Sequence, residues 1–254
     1  MKIGFVQYNP VWENKEENKI KLYSLLQDQR NSKIDLVVFP EMTLTGFTMR
    51  AEKYAEPLEG NTYKYFSEIA RKYNSDIMYG VIEEANSIYF NTLVHINSQG
   101  MFVNKYRKIH PFSYSSEDKH YTKGELPIIT DINGWKAGLS ICYDLRFPEL
   151  YRFYGKSKTE LIIVAANWPD TRIEHWKILL KARAIENQCF VIGVNRVGND
   201  PKLFYPGSSM AVNPMGKEIV SSTDEEKIFL CEINKREIEE VRNKLPFLND
   251  ITMI

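Results

Sequence analysis

A cysteine at the end of an apolar run is the first residue whose type and position could do chemistry. Cys142 follows the run Gly138–Ile141 and precedes the polar segment Tyr143–Arg146. A nucleophile at such a strand-to-helix bend is exposed at a sheet edge, and the next backbone N–H can point into the same space. Cysteine is also among the most buried residue types, so core packing is the alternative interpretation. Cys189 and Cys231 lie within largely apolar runs and are predicted to be core residues.

A thiol needs a base or a nearby cation before it becomes a useful nucleophile, because its ordinary pKa is about 8.5. Histidine is the usual partner, but His95 lies in a predicted strand and His175 at a helix start. His110 and His120 share a long loop with Glu117, which could form a metal site. No H-x-x-x-H or C-x-x-C spacing supports one. We therefore predict neither a metal nor a cofactor.

Two charged residues come directly after predicted strands. Glu41 follows the run Leu36–Pro40, where a carboxylate is either a solvated loop residue or an acid or base with a raised pKa. Lys108 has the matching place after Met101–Arg107, where a lysine is ordinarily a surface residue. Neither residue identifies a catalytic site on its own.

Short apolar runs alternate with helical patterns along most of the chain. Strands are predicted at 2–8, 36–39, 77–82, 88–96, 101–107, 135–142, 161–166 and 189–195. Helices are predicted at 13–30, 63–73, 147–154, 173–188 and 233–245, the first with Ile20, Leu22, Leu25 and Leu26 on its apolar side. Turns at 97–100, 133–134 and 213–216 indicate antiparallel strand pairs. This mixture favours an α/β sandwich with mixed sheets over a purely parallel, doubly wound sheet. No internal repeat or linker is visible, so we predict one domain over 1–254.

Composition excludes several classes of protein. The 254 residues include 33 basic and 33 acidic side chains, without the basic excess typical of nucleic-acid binding. Three cysteines argue against a disulfide framework and for a reducing compartment. The opening apolar stretch Ile3–Val6 is too short for a signal peptide, and no window reaches the ~20 apolar residues of a membrane span. We predict a soluble, cytoplasmic protein that binds neither nucleic acid nor membrane.

Three segments around Glu41, Lys108 and Cys142 resemble, in order and spacing, the three signatures of the carbon–nitrogen hydrolase (nitrilase) superfamily. They are Phe39–Gly46, Tyr106–Phe112 and Gly138–Glu149. The resemblance extends from the first strand to about Pro214. It implies an α/β fold, namely a four-layer αββα sandwich with two mixed sheets flanked by helices. It also implies a Glu–Lys–Cys catalytic set at these three residues, with the second glutamate of the family at Glu117.

The mechanism implied by this resemblance agrees with the residue types. Glu41 would take the thiol proton, and the Cys142 thiolate would attack an amide carbonyl. The Lys108 ammonium and the backbone N–H of Tyr143 would hold the oxyanion. Glu41 would then protonate the departing ammonia and activate water to cleave the thioester, while Glu117 orients Lys108 or the amine. None of these steps needs histidine or metal.

Within the superfamily, the sequence looks closest to the omega-amidase branch, which hydrolyses small 2-oxo dicarboxylate monoamides such as 2-oxoglutaramate and 2-oxosuccinamate. The segments that resemble this branch are Thr45–Met49, Ala166–Pro169, Arg172, His175–Trp176, Ala182–Gln188 and Asn195–Gly198. An anionic substrate needs a cation, and the planar fork of Arg146 suits a carboxylate. Arg172 is the second candidate. The alternative for Arg146 is an ion pair with Asp144 or Glu149.

Three aromatic residues are expected to wall the substrate pocket, although core packing is an equal alternative for each. They are Trp168, Phe47 and Tyr114. A deaminated-glutathione amidase or a carbamoyl-amine hydrolase would share the catalytic set and differ only in this pocket. A catalytically silent interaction module is the alternative from another class, and the intact catalytic set argues against it. The resemblance also implies a homodimer or higher homo-oligomer, with the C-terminal helix and tail at the interface.

Overall fold

Fourteen strands and six α-helices make up the computed structural model, which describes residues 1–27, 29 and 32–252. The strands are β1 (Lys2–Gln7), β2 (Leu36–Val38), β3 (Asp76–Ala85), β4 (Ile88–Ile96), β5 (Phe102–Arg107), β6 (Ile129–Ile132), β7 (Trp135–Ile141), β8 (Leu161–Ala166), β9 (Phe190–Asn195), β10 (Val197–Asn199), β11 (Phe204–Pro206), β12 (Met210–Val212), β13 (Glu218–Ser221) and β14 (Lys227–Glu232). The helices are α1 (Lys15–Gln27), α2 (Ala51–Tyr54), α3 (Asn61–Tyr73), α4 (Pro148–Lys156), α5 (Ile173–Asn187) and α6 (Lys235–Lys244).

Twelve of the strands form two six-stranded mixed sheets, in the orders β14-β1-β2-β3-β4-β5 and β6-β7-β8-β9-β12-β13. Read in these directions, the two sheets have the same pairing pattern: one antiparallel pair, two parallel pairs and two antiparallel pairs. The predicted mixed sheets are therefore confirmed. The pairing pattern repeats although the sequence shows no internal repeat.

The alternation of side chains along each strand explains the four layers. In β2, Leu36 and Val38 pack in the core cluster that residues of both sheets share, whereas Val37 packs in a second cluster. That second cluster contains Leu22 of α1 and Phe66 of α3, so these helices cover the first sheet. Both faces of β2 are buried, which is why the strand appears in the sequence as a continuous apolar run. Helices α4 and α5 contribute to the shared cluster on the second sheet, and the predicted αββα sandwich is confirmed.

The structure corrects several local predictions. Ile20 is 71% exposed, so the apolar side of α1 is narrower than predicted and consists of residues such as Leu22 and Leu26. The predicted end of this helix at Arg30 lies outside the described residues. Strand β7 ends at Ile141, one residue earlier than predicted. The sequence also gave no indication of the β10–β11 hairpin, which lies beside the site described below.

Cys189 and Cys231 are buried, as predicted, and all three cysteines are free thiols. Across the part of the chain that the structure describes, no helix has the length and apolar character needed to cross a membrane. The assignment of α6 and the C-terminal tail to an interface between subunits stays a prediction.

Candidate active site

Glu41 leaves the end of β2 in a tight turn against β3. Met42, the next residue, has φ of +46°, a backbone conformation that residues other than glycine rarely adopt. The turn is held by the Thr43 N–H, which donates to the Gly80 carbonyl at 3.0 Å. A Cβ on Gly80 would lie 2.3 Å from the Met42 nitrogen, so this close approach requires glycine. The turn leaves the Glu41 side chain buried.

Cys142 occupies a sharp bend between β7 and the 3-10 helix Cys142–Arg146. Its φ of +47° lies in the left-handed region, which costs a non-glycine residue about 1–2 kcal/mol. The Asp144 carboxylate stabilises the bend by accepting the Ile141 N–H at 3.0 Å. The half-buried Cys142 side chain has its Sγ 3.8 Å from the Asn167 carbonyl oxygen. The predicted strand-to-helix bend is therefore present, with Cys142 as its first residue.

Asp144 also ties the lysine segment to the cysteine bend. Its carboxylate accepts the Tyr106 hydroxyl at 2.8 Å, the His110 N–H at 3.0 Å and the His110 Nδ1–H at 2.8 Å. Tyr106 and His110 lie on either side of Lys108, so one buried carboxylate holds both segments in register. The His110 ring stacks on Phe147 with 3.8 Å between ring centroids. His110 is thus engaged in structure rather than placed for metal binding.

Lys108 lies between two buried carboxylates. Its Nζ donates to Glu41 Oε1 at 2.8 Å and to Glu117 Oε2 at 2.8 Å, with Glu117 Oε1 at 3.1 Å. Asn91 of β4 donates its side-chain amide to the same Glu41 and Glu117 oxygens, at 2.7 Å and 2.8 Å. The Phe112 N–H adds a bond to Glu117 Oε2 at 2.6 Å. The structure thus brings together three of the four predicted catalytic side chains by direct hydrogen bonds.

The second oxygen of Glu41 faces the other sheet. Asn167, which follows β8, donates its backbone N–H to Glu41 Oε2 at 3.0 Å and its side-chain amide to the Glu41 carbonyl at 2.7 Å. The Asn167 carbonyl is the group that Cys142 Sγ contacts. Glu41 and Cys142 therefore lie on the two sides of one residue, Asn167.

The pKa directions define the resting state of the site. Burial, followed by the negative charge of Glu41, raises the pKa of the Cys142 thiol well above its ordinary value, against the opposing effect of Lys108. Burial alone would lower the pKa of Lys108, but Glu117 and Glu41 outweigh it and raise this pKa well above its ordinary value. The site at rest consequently holds a neutral thiol beside an ammonium group, and a base is needed to generate the thiolate.

A cavity of about 430 Å³ opens over Cys142. The predicted site residues that line it are Phe47, Lys108, Cys142, Tyr143, Arg146, Trp168 and Arg172. Tyr114 does not: it is 87% exposed, and its neighbour Phe112 lines the cavity instead. The expectation for Tyr114 is therefore wrong, because the short 3-10 turn Ser113–Ser115 turns this side chain toward solvent.

Two arginines line the cavity beside Cys142. The Arg146 guanidinium lies 4.8 Å from the centroid of the Trp168 ring, and its Nη1 is 3.2 Å from His175 Nδ1. The Arg172 guanidinium lies 5.5 Å from the centroid of the Phe112 ring. Among the residues that the structure describes, neither arginine has a carboxylate within 4.0 Å, so the alternative ion pairs of Arg146 do not form. Burial and then the charge of Arg172 lower the pKa of Arg146, as expected for two cations that share one cavity.

Sequence reasoning missed several residues of the site. Asn91 carried no signal beyond its polarity in a β-rich run, and Asn167 was part of a resemblance without a role. The cavity is also lined by Trp12, by the hairpin residues 200–203 and by Tyr205. They come from distant parts of the chain, so only the fold reveals their proximity.

The protein is thus a four-layer α/β sandwich in which Cys142 and Lys108 line one cavity and two buried carboxylates contact the lysine. Residues 2–243 match the family model for carbon-nitrogen hydrolases, and the chain belongs to this family. Its relatives place it in the omega-amidase branch and make it an amidohydrolase.

The similarity to individual proteins covers most of the chain. This chain is 32% identical over 251 residues to a 2-oxoglutaramate amidase of Bacillus subtilis (strain 168), and the alignment covers 98% of this chain and 96% of that protein. This chain is 34% identical over 219 residues to omega-amidase YafV of Escherichia coli (strain K12), and the alignment covers 85% of this chain and 84% of that protein. The structure of a CN-hydrolase superfamily protein of Xanthomonas campestris superposes on this chain with a TM-score of 0.95 at 31% sequence identity. The superposition covers 100% of this chain and 98% of that protein.

Proposed function

We propose that this amidase releases ammonia from the terminal amide of small 2-oxo dicarboxylate monoamides, through a thioester on Cys142. One observation carries the choice of substrate: among the described residues, Arg146 and Arg172 face the cavity without a carboxylate partner. A buried or half-buried guanidinium without a counter-charge favours an anionic ligand, which it can bind bidentately. The relatives named 2-oxoglutaramate amidase and omega-amidase support the same substrate class.

Acylation begins with transfer of the Cys142 thiol proton to Glu41, because the raised pKa of the thiol disfavours a resting thiolate. The thiolate attacks the amide carbon, and the negative charge that develops on oxygen is stabilised by the Lys108 ammonium. The backbone N–H of Tyr143 belongs to the first turn of the 3-10 helix, where N–H groups have no partner within the helix, and it serves as the second donor. The carbon–nitrogen bond then breaks, and Glu41 returns its proton to the leaving ammonia.

Deacylation uses the same groups, with water as the nucleophile and the Cys142 thiol as the leaving group. Water enters the position that ammonia has left, Glu41 removes its proton, and the hydroxide attacks the thioester carbon. Lys108 again holds the oxyanion, and breakage of the carbon–sulfur bond regenerates the Cys142 thiol with the proton from Glu41. The products are ammonia and a 2-oxo dicarboxylate. Glu117 acts through Lys108, whose ammonium group it holds with both carboxylate oxygens.

A panel of small amides tests the substrate class. We expect ammonia release from 2-oxoglutaramate and 2-oxosuccinamate with a kcat/KM at least about 100-fold above that of matched neutral amides, because one desolvated charge pair is worth a few kcal/mol. Ammonia production measured with a coupled assay would give these values. Equal kcat/KM values for anionic and neutral amides would contradict the proposed substrate class.

Arg146→Met tests which cation binds the substrate carboxylate. Methionine preserves much of the side-chain volume but removes the guanidinium, so we expect KM for 2-oxo acid amides to rise about 10- to 100-fold. The kcat/KM for a neutral amide should change less than about threefold. Arg172→Met is the matched variant, and a larger KM effect there would transfer the role from Arg146 to Arg172.

The cavity volume favours a second candidate within the same family. About 430 Å³ is within the range of pockets for drug-sized ligands and exceeds the needs of a five-carbon amide. A longer 2-oxo amide such as deaminated glutathione fits this volume, with its additional carboxylate near Lys202 on the β10–β11 hairpin. Its hydrolysis releases cysteinylglycine instead of ammonia, so the kcat/KM values of deaminated glutathione and 2-oxoglutaramate are compared through formation of 2-oxoglutarate, the product that both give.

A further inference from the structure

The side-chain amide of Asn91 connects the two carboxylates of the site. Its Nδ2 donates to Glu41 Oε1 at 2.7 Å and to Glu117 Oε1 at 2.8 Å. Lys108 Nζ contacts the same two oxygens, so each is held by one lysine donor and one asparagine donor. Asn91 also accepts the Lys108 backbone N–H on its carbonyl at 2.9 Å. One residue therefore contacts all three charged members of the site.

The orientation of this amide is fixed by its donors alone. Asn91 is 2% exposed, and its Oδ1 is buried without a hydrogen-bond partner among the described residues. A buried amide normally satisfies both ends, and here only the NH₂ end is satisfied. The fold thus keeps a buried, unpaired carbonyl in exchange for two N–H bonds to carboxylates. This arrangement points to a role in the electrostatics of the site.

A neutral donor suits the charge balance of the site. The two carboxylates each accept a hydrogen bond from the charged Lys108 and another from the neutral Asn91 amide. A second cation beside Glu41 would stabilise the carboxylate so strongly that it would be a poor proton acceptor. Hydrogen bonds from a neutral amide stabilise the ionised form less, and leave the carboxylate basic.

We propose that Asn91 is a positioning residue that holds the Glu41 and Glu117 carboxylates in place, with Glu41 Oε2 on the side of the Cys142 thiol. Asn91 and Lys108 donate to Oε1, whereas Oε2 lies on the side of Cys142 and accepts the backbone N–H of Asn167 at 3.0 Å and its side-chain amide at 3.3 Å. The inference rests on the proposed role of Glu41 as the base.

Four titratable groups face Glu41, and they come from three segments. They are Lys108 after β5, Glu117 and Tyr121 in the loop that follows, and Cys142 after β7. Burial and then Glu117 and Glu41 raise the pKa of Tyr121, so it stays neutral. Burial, and then the charge of Glu41, raises the pKa of Glu117 against the effect of Lys108. Because the pKa of Glu117 is raised, its protonation contributes to the acidic limb of the pH profile.

Asn91→Leu tests the role with a side chain of similar shape and no donors. Loss of the hydrogen bond from Asn91 makes protonation of the Glu117 carboxylate easier, so the acidic limb of kcat/KM should move about one pH unit upward. The kcat at neutral pH should fall about 10- to 100-fold, and KM should change less than about threefold. Ammonia release measured from pH 5 to pH 9 gives both results.

Thr92→Val is the matched control. Thr92 is the next residue of β4, is fully buried, and donates its hydroxyl to Glu83 at 2.8 Å on the opposite face of the strand. This variant also loses one buried bond to a carboxylate, but its acidic limb and kcat should equal those of the parent. Asn91→Asp is the second test variant: it is isosteric, and its added negative charge should move the acidic limb upward at least as far.

Two outcomes would overturn the inference. A fall in kcat with an unmoved acidic limb in both Asn91 variants would assign Asn91 a purely structural role. An unchanged kcat in either folded variant would show that Asn91 does not position the base. Failure of the proposed function is recognised separately, because it would appear as full activity in Cys142→Ala, whatever the Asn91 variants do.

Discussion

Cys142→Ala is expected to lower ammonia release from every amide at least about 10⁴-fold, because it removes the thiol that forms the proposed covalent intermediate. Lys108 and the Tyr143 N–H could still polarise the amide carbonyl, so the residual rate measures what the oxyanion site achieves without the nucleophile. The fold should survive, since alanine meets no greater strain than cysteine at φ of +47°. Ammonia release and thermal unfolding of the variant give the two measurements.

The other two cysteines provide matched controls for this variant. Cys189 and Cys231 are buried, and burial raises the pKa of each thiol to about 12, so neither can supply a thiolate at neutral pH. Cys189→Ala and Cys231→Ala should lose about 1 kcal/mol or more of stability by leaving small cavities and keep the parent kcat/KM. Ammonia release by Cys142→Ala at the parent rate would contradict the proposed mechanism completely.

The sequence predicted the charged members of the site because each stands where a local pattern changes. Lys108 and Cys142 directly follow the last residue of a strand and Glu41 comes three residues after one, and strand ends are visible in the apolar pattern. Family resemblance then supplied the grouping that spacing alone could not. Glu117 had only that resemblance behind it, and the structure places it on Lys108. The assignment of catalytic roles to these residues stays a proposal.

Local sequence patterns could not predict the residues whose contacts in the site come from distant parts of the chain. Asn91 lies within β4 and looks like any polar residue in a strand, yet the pairing of β4 with β5 brings it beside Lys108. The prediction for Tyr114 was wrong because its aromatic character suggested a place in the wall of the cavity, whereas a single 3-10 turn directs its side chain to solvent. Side-chain direction in loops depends on backbone angles that sequence patterns do not specify.

The layers of the fold were predictable from periodicity, but the strand order was not. Continuous apolar runs indicated strands buried on both faces, and hairpin turns indicated mixed sheets. The pairing of β1 with β14, in which Lys2 lies opposite Glu232, joins the first and the last strand of the described chain. Such a partner is selected by packing across the whole domain, so no local window contains it.

Lys108→Met is expected to remove activity and to destabilise the protein in a pH-dependent way. The variant leaves Glu41 and Glu117 buried together without a cation, and breaking a buried ion network of this kind costs about 3–5 kcal/mol. Loss of the ammonium group at the oxyanion should lower kcat about 10²- to 10³-fold in protein that stays folded. Activity and the free energy of unfolding in denaturant measure these effects independently.

The sign of the pH effect follows from the two carboxylates. Burial, and next the charge of Glu41, already raises the pKa of Glu117 in the presence of Lys108, and removal of the lysine raises it further. A carboxyl whose folded-state pKa is raised costs stability only above its unfolded pKa of about 4.3. The stability difference between parent and variant should therefore be small near pH 4 and grow as the pH rises toward 8.

Two further variants separate charge from packing. In Lys108→Met combined with Glu117→Gln, one buried negative charge is removed, so stability at pH 8 should recover in part while kcat stays low. Lys105→Met is the matched control on the same strand: Lys105 is 30% exposed, and its partner Glu83 keeps Arg107. This control should lose about 1 kcal/mol or less and keep full activity. A stability loss in Lys108→Met that is equal at pH 4 and pH 8 would show that Lys108 stabilises the site by packing rather than by charge.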